Sequence, residues 1–298
     1  MYKKILVLGA SGLIGSWVYK ELKDKGFDTL GTRLNNSSKD LIRLDIGDYS
    51  NLKKYLGNEN PDAIVNCVGM IGKDLCNKKT NESEIANSLG VKNISDLCLK
   101  NKIKLIHFST IVVHNGKKPT PYLEEDNPSK REGDIYNEQK SKAELFVESV
   151  PESIIIRLGD IYGYNYLNPT ILGGDSFKLA YNLLSENQEF SVFKNIKTNK
   201  TLVSDLGKVV FELLNKEYQG RINIGGKSID NFDFVNKIKF YFKLPGTISS
   251  QSPLENYPLH KLLDLTKMNN LEIKINDSDE GLRILSSTLS IGPDNFLK

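Results

Sequence analysis

The stretch KKILVLGASGLIGSWVYKEL, residues 3–22, joins an apolar run to an amphipathic helix through glycines at fixed spacing. Gly9, Gly12 and Gly15 recur at every third position, and that pattern narrows the possible folds sharply. Glycine tolerates the backbone of a tight strand-to-helix turn and lets main chain approach a phosphate closely. The helix that follows presents unpaired N–H groups and the positive end of its dipole. The pattern predicts the first βα unit of a dinucleotide-binding sheet, with Gly9, Ser11, Gly12, Leu13, Ile14 and Gly15 forming the phosphate loop. A compact βα turn without a ligand is the alternative reading of the same residues.

The first half of the chain repeats this alternation. Strand patterns fall at 3–9, 28–33, 40–45, 62–69, 103–110 and 153–159, and helical patterns at about 12–25, 49–57, 82–100 and 134–149. Buried parallel strands are nearly continuous apolar runs separated by crossover helices, as these are. The expected fold class is α/β: a doubly wound parallel (Rossmann) sheet with a smaller substrate-binding lobe. The main domain is expected from 1–160 plus about 197–229, and the lobe from 161–196 plus 230–298. The segment DIYGYNYLNPTILGG (160–174), rich in Tyr, Asn, Gly and Pro, suits binding more than scaffold.

Charge and composition exclude several functions. A net charge of +3 over 298 residues, with both signs interspersed, argues against nucleic acid and anionic membrane as partners. Cys67, Cys76 and Cys98 lack metal-ligand spacing, and with only three histidines no protein-built metal site is expected. Unpaired cysteines fit a reducing cytoplasm. The opening lysines and apolar run are compatible with a secretory signal. The glycine spacing and the amphipathic helix that replaces a cleavage region favour the structural reading. No apolar run approaches the roughly 20 residues a transmembrane helix needs.

The second strand discriminates between cofactors. An NAD-binding chain usually carries an acid about 20 residues past the loop, for the ribose 2′-hydroxyl. Here that place reads GTRLNNSS, with Arg33 and no acid. Arg33 suits a 2′-phosphate, so NADP(H) is favoured and NAD(H) remains the alternative; an exposed surface arginine is the bland reading. Asp45, followed by Ile46, is placed either beside the adenine or as a turn cap. Cys67, Val68 and Gly69, at the end of IVNCVG, complete the expected cofactor contacts.

Tyr136 and Lys140, in DIYNEQKSKAEL, lie four residues apart on one helical face. The same spacing recurs at Tyr19/Lys23, Tyr49/Lys53 and Tyr257/Lys261, so the pair alone carries little weight. Position distinguishes it: a strand ending in Ser109 and Thr110 leads into its helix. A nearby ammonium favours a phenolate, so Tyr136 can exchange a proton with an alcohol or ketone near neutral pH. A hydroxyl from Thr110 can hold the same oxygen while a nicotinamide carries the hydride.

Together GASGLIG, IVNCVG, HFST, YNEQK and IIIRLGDIYG resemble an extended short-chain dehydrogenase/reductase. Within that superfamily the chain is similar to the dTDP-4-dehydrorhamnose reductase family, through FST…NG, PYLEEDNP, Asp205 in TLVSDLGKVV and LDLTKMNNLEIKINDSDEGL. The resemblance implies that Tyr136 is the general acid, with Lys140 its electrostatic partner and a ligand of the nicotinamide ribose. It implies Thr110 on the reacting oxygen, with Ser109 the adjacent candidate. It offers Asn87 and Arg157 for substrate, against packing and scaffold ion-pair readings of the same two residues.

The family commonly reads S-T-D-Y-V-F where this chain has Ser109, Thr110, Ile111, Val112, Val113 and His114. The missing acid disfavours a sugar-nucleotide dehydratase. Asn137 and Gln139 replace small residues between Tyr and Lys, where contacts with cofactor or substrate are expected to change; His114 is expected at the surface, with a place facing the sugar as the alternative. The implied activity is NADPH-dependent reduction of a 4-keto nucleotide-sugar for surface polysaccharide, with a homodimer allowed. The rivals are an NAD-dependent nucleotide-sugar epimerase and a non-catalytic cofactor-binding regulatory subunit.

Overall fold

The computed structural model describes residues 2–35, 40–253 and 257–290. In chain order the elements begin β1 (Lys4–Leu8), α1 (Leu13–Asp24), β2 (Asp28–Arg33), β3 (Ile42–Arg43), α2 (Tyr49–Glu59) and β4 (Ala63–Asn66). They continue with α3 (Lys73–Lys78), α4 (Thr80–Glu84), a π-helical turn at Ile85–Leu89, α5 (Gly90–Asn101), β5 (Lys104–Thr110), α6 (Ile135–Glu148) and β6 (Ile154–Leu158). Next come β7 (Asp160–Asn165), β8 (Asn168–Gly173), α7 (Asp175–Ser185), β9 (Glu189–Phe193), β10 (Lys197–Leu202), α8 (Asp205–Asn215) and β11 (Gly220–Ile224). The chain closes with β12 (Ser228–Asp230), α9 (Asn231–Phe242), β13 (Thr247–Gln251), α10 (Thr266–Asn270) and α11 (Ser278–Ser290).

Two compact units result. The first comprises 1–115, 124–157 and 206–222; the second comprises 116–123, 158–205 and 223–298. The first unit is built on a seven-stranded parallel sheet of order β11-β6-β5-β4-β1-β2-β3, flanked by helices. Side chains of β1 and β4 are buried on both faces, which is why these strands read as unbroken apolar runs. Leu6, Leu8, Ile64, Leu105 and Ile155 from the strands pack with Leu52, Ile94 and Val147 from the helices in one core. Two helices of this unit start on side-chain caps: Asp48 accepts from the Asn51 N–H and Asp134 from the Asn137 N–H.

The second unit holds a four-stranded sheet, β12-β10-β7-β8, and the parallel pair β13-β9. Its core gathers Tyr162, Phe177, Phe190, Phe234, Ile238 and Leu282. The stretch 197–202, placed by its sequence with the main domain, is β10 and pairs with β7 and β12 instead. Asp205 is buried here and accepts from the main-chain N–H of Asn276 (3.0 Å) and its Nδ2 (2.8 Å). Among the described residues no helix is long and apolar enough to cross a membrane.

Candidate active site

The glycine turn between β1 and α1 has the geometry its spacing demands. Gly9 has φ +73°, and a Cβ added at Gly15 would lie 2.2 Å from the Gly9 carbonyl oxygen, so neither tolerates a side chain. Gly12 caps α1 without a side-chain acceptor, and the first turn carries no acid to compete for an anion. The Gly9 N–H donates to Thr32 Oγ1 (3.2 Å), which ties the loop to β2.

Beside this turn lies a cleft of about 340 Å³. Gly9, Ser11, Gly12, Arg33, Asp45, Ile46, Cys67, Val68 and Gly69 all line it; Leu13, Ile14 and Gly15 do not, forming the start of α1 instead. Arg33 Nε donates to the Leu41 carbonyl (3.2 Å), which holds the guanidinium at the cleft edge. Asp45 lines the cleft, and its Oδ1 accepts from the Gly47 N–H (2.8 Å) as a turn cap. Burial pushes the Cys67 thiol up, so it stays neutral. Thr32, Leu34, Leu44, Glu82, Ile85 and Ala86 complete the wall and carried no recognisable motif in the sequence.

The second focus is where α6 meets the end of β5. Alternation along a strand sends His107 and Ser109 to one face. Lys140 and Glu144, one helical turn apart on α6, meet them: His107 Nε2 lies 3.0 Å from Lys140 Nζ, and Ser109 Oγ donates to Glu144 Oε1 (2.5 Å). Lys140 Nζ also donates to the Phe108 carbonyl (2.7 Å). The lysine is thereby fixed two residues before Thr110 and one turn after Tyr136. By contrast, Lys23 reaches Tyr19 Oη on α1 (3.4 Å) and Lys261 reaches Tyr257 Oη (2.8 Å), so those pairs close on themselves. Burial lowers the Lys140 pKa to about 8. Thr110 Oγ1 accepts from the Val112 N–H (3.1 Å), which leaves its own proton for another acceptor.

Three candidate site residues have their side chains engaged within the fold. Ser109 is buried and its hydroxyl is committed to Glu144. Arg157 has no exposed surface; it pairs with Glu144 through Nε (3.0 Å) and Nη2 (2.8 Å) and donates to the Glu124 and Asp126 carbonyls. Asn87 sits in the π-helical turn, where it accepts from the Met70 N–H (2.8 Å) and donates to the Met70 carbonyl (2.9 Å) and Gln139 Oε1 (3.1 Å).

The substituted residues between Tyr136 and Lys140 also brace the helix. Asn137 donates to the Val112 and Ser129 carbonyls and accepts from the Arg131 N–H; Gln139 Nε2 donates to Ser83 Oγ. Both are 1% exposed, so the expected change in ligand contacts is replaced by a change in what anchors α6. His114, expected at the surface, is fully buried; that burial, with the Arg157 guanidinium nearby, lowers its pKa to about 4.

Residues 3–238 match the family model described as the RmlD substrate binding domain. The chain belongs to that family. This RmlD-family chain is 26% identical over 214 residues to the spore coat polysaccharide biosynthesis protein SpsK of Bacillus subtilis (strain 168), covering 71% of this chain and 70% of that one. It is 29% identical over 164 residues to methionine adenosyltransferase 2 subunit beta of Danio rerio, covering 54% and 49% of the two chains. The crystal structure of dTDP-4-dehydrorhamnose reductase from Bacillus anthracis str. Ames, in complex with NADP, superposes with a TM-score of 0.82. That likeness covers 96% of this RmlD-family chain and 99% of the other at 22% identity, and it is one of fold.

Proposed function

We propose that this chain is an NADP(H)-dependent reductase that converts the 4-keto group of a nucleotide-sugar to an alcohol, in the supply of surface polysaccharide. The observation that supports this reading most directly is the meeting of α6 with β5: Lys140, one helical turn after Tyr136, donates to the carbonyl of Phe108, two residues before Thr110. The relatives point the same way, since one is a polysaccharide biosynthesis protein and one a reductase bound to NADP.

The cleft fits a dinucleotide, because Gly9 and Gly15 leave no room for side chains and the start of α1 has no competing acid. Gly9, Ser11 and Gly12 would hold the phosphates, Arg33 the 2′-phosphate, Asp45, Ile46, Cys67, Val68 and Gly69 the adenosine side, and Lys140 the nicotinamide ribose. NADPH would supply the hydride. Thr110 donates its hydroxyl proton to the substrate carbonyl and polarises it. Tyr136 transfers its phenolic proton to the same oxygen as negative charge develops there. A protonated Lys140 stabilises the phenolate left behind.

Incubation with NADPH and a panel of 4-keto nucleotide-sugars, followed by absorbance of the reduced nicotinamide, is expected to show oxidation with at least one member. Conversion of a nucleotide-sugar without net NADPH consumption would establish the epimerase instead. The match to a methionine adenosyltransferase subunit keeps a second reading, a cofactor-binding subunit without turnover. That reading predicts cofactor binding, no turnover on any member and altered activity of a partner enzyme.

Arg33→Ala is expected to weaken NADPH binding about 10- to 100-fold, from the roughly 1.5–3 kcal/mol of a charge-assisted hydrogen bond. NADH binding should change little. Fluorescence titration of each reduced cofactor checks this, and equal losses for both would remove Arg33 from the 2′-phosphate site.

A further inference from the structure

Gln139 directly precedes Lys140 on α6, and its carboxamide bonds to the segment that forms one wall of the cofactor cleft. That segment is α4 with the π-helical turn, from which Glu82, Ile85 and Ala86 line the cleft. The turn closes on itself through the Gly90 N–H, which donates to the Ile85 carbonyl five residues back.

One main-chain donor sets the direction of the bonds. The Met70 N–H meets an oxygen, so it fixes Asn87 Oδ1 at 2.8 Å and turns Nδ2 the other way. Asn87 Nδ2 donates to the Met70 carbonyl (2.9 Å) and to Gln139 Oε1 (3.1 Å). Gln139 therefore presents its oxygen to Asn87 and its Nε2 to Ser83 Oγ (2.9 Å). Ser83 accepts there and directs its own proton at the Thr80 carbonyl (3.0 Å).

We propose that Gln139 is a positioning residue: it locks α6 to the cleft wall, so that a dinucleotide seated against Ile85 and Ala86 sets the place of Tyr136 and Lys140.

Burial makes the link stiff. Ser83, Asn87 and Gln139 are 0%, 0% and 1% exposed, so water does not compete for their hydrogen bonds and breaking one strands its partner. Met70 follows Gly69, which also lines the cleft, so the Asn87 carboxamide joins two parts of the wall before Gln139 joins them to the helix. At the other end Tyr136 and Lys140 share one helical face with a turn between them, and any shift of α6 moves both. A small residue at 139 would carry no amide to either partner, so the link belongs to this chain's own sequence.

The consequence for turnover rests on the reductase reading; the coupling of the cleft to α6 does not. Adenosine 2′,5′-bisphosphate separates the two, because it offers the cleft an adenosine and phosphates but has no nicotinamide ribose to reach Lys140. Amide hydrogen exchange of the whole protein, free and saturated with this probe, is expected to slow at 135–140 as well as at the glycine turn. Gln139→Leu occupies similar space without the amide. It is expected to keep the slowing at the glycine turn and to abolish it at 135–140. With NADPH and the reactive 4-keto sugar, its kcat should fall about five- to tenfold, the scale of one buried hydrogen bond, while KM for NADPH stays within about threefold.

A simple brace would instead lose protection equally with and without the probe and leave the difference between the two intact; that result overturns the proposal. So does a wild type in which the probe leaves 135–140 unchanged. If Gln139→Leu does not fold, Gln139→Met takes its place with the same expectations. Coupled exchange in a protein with no reductase activity would sustain this inference while removing the reductase reading.

Discussion

Tyr136→Phe is expected to lower kcat by about 100- to 10,000-fold, the contribution typical of a positioned general acid. The ring is 9% exposed and remains in place as Phe, so the loss is of a proton and not of packing. NADPH affinity should stay within about twofold, because Arg33, the glycine turn and Lys140 are untouched. Single-turnover kinetics with NADPH and the reactive 4-keto sugar separate the chemical step from binding. A variant that keeps more than about a third of wild-type kcat would exclude Tyr136 as the acid.

Arg157→Met should have the largest effect on stability. Arg157 and Glu144 are both fully buried, and Glu144 also holds Ser109. Removing the arginine leaves the buried carboxylate to Ser109 and the more distant Arg221 (4.0 Å), at a cost approaching the roughly 3–5 kcal/mol of a broken buried pair. It also releases the Glu124 and Asp126 carbonyls that the guanidinium holds. The single tryptophan, Trp17 on α1, reports on the first unit, so urea unfolding followed by its fluorescence measures the change. Combining Arg157→Met with Glu144→Leu should recover much of the loss, since an apolar pair in place of a buried ion pair is often neutral. A single-variant cost below about 1 kcal/mol would show that Glu144 finds water or another partner.

The parallel core was legible because buried strands carry their signal in composition: β1, β4, β5 and β6 are apolar runs with helices between them. The glycine turn was legible because its steric demand leaves little choice of residue. Strand β10 was not, since whether KTNKTL joins one sheet or another depends on partners distant in sequence. The π-helical turn at 85–89 left no trace for a similar reason: it differs from an α-turn by one step of hydrogen bonding.

At the site, strand alternation could have separated Ser109 from Thr110, because His107 and Ser109 share the face that meets α6. Arg157, Asn87, Asn137 and Gln139 were harder to place. A polar side chain near a catalytic motif reads the same whether it faces ligand or braces main chain, and only burial and partners decide. His107 itself stood in plain view as the one imidazole in LIHFST, yet its partner on α6 lies 33 residues away.

The interleaving of the two units sets an order on how the chain can be completed during synthesis. The strand that borders β6, β11 at Gly220–Ile224, emerges only after all of 158–205, which belongs to the other unit. A nascent chain that has already formed β5 and β6 therefore displays an open row of β6 amides and carbonyls until residue 220 is made. Neither unit can be finished before the other is well under way, so maturation cannot proceed domain by domain. Ribosome-bound fragments ending between 160 and 215 should be the species that self-associate or engage chaperones.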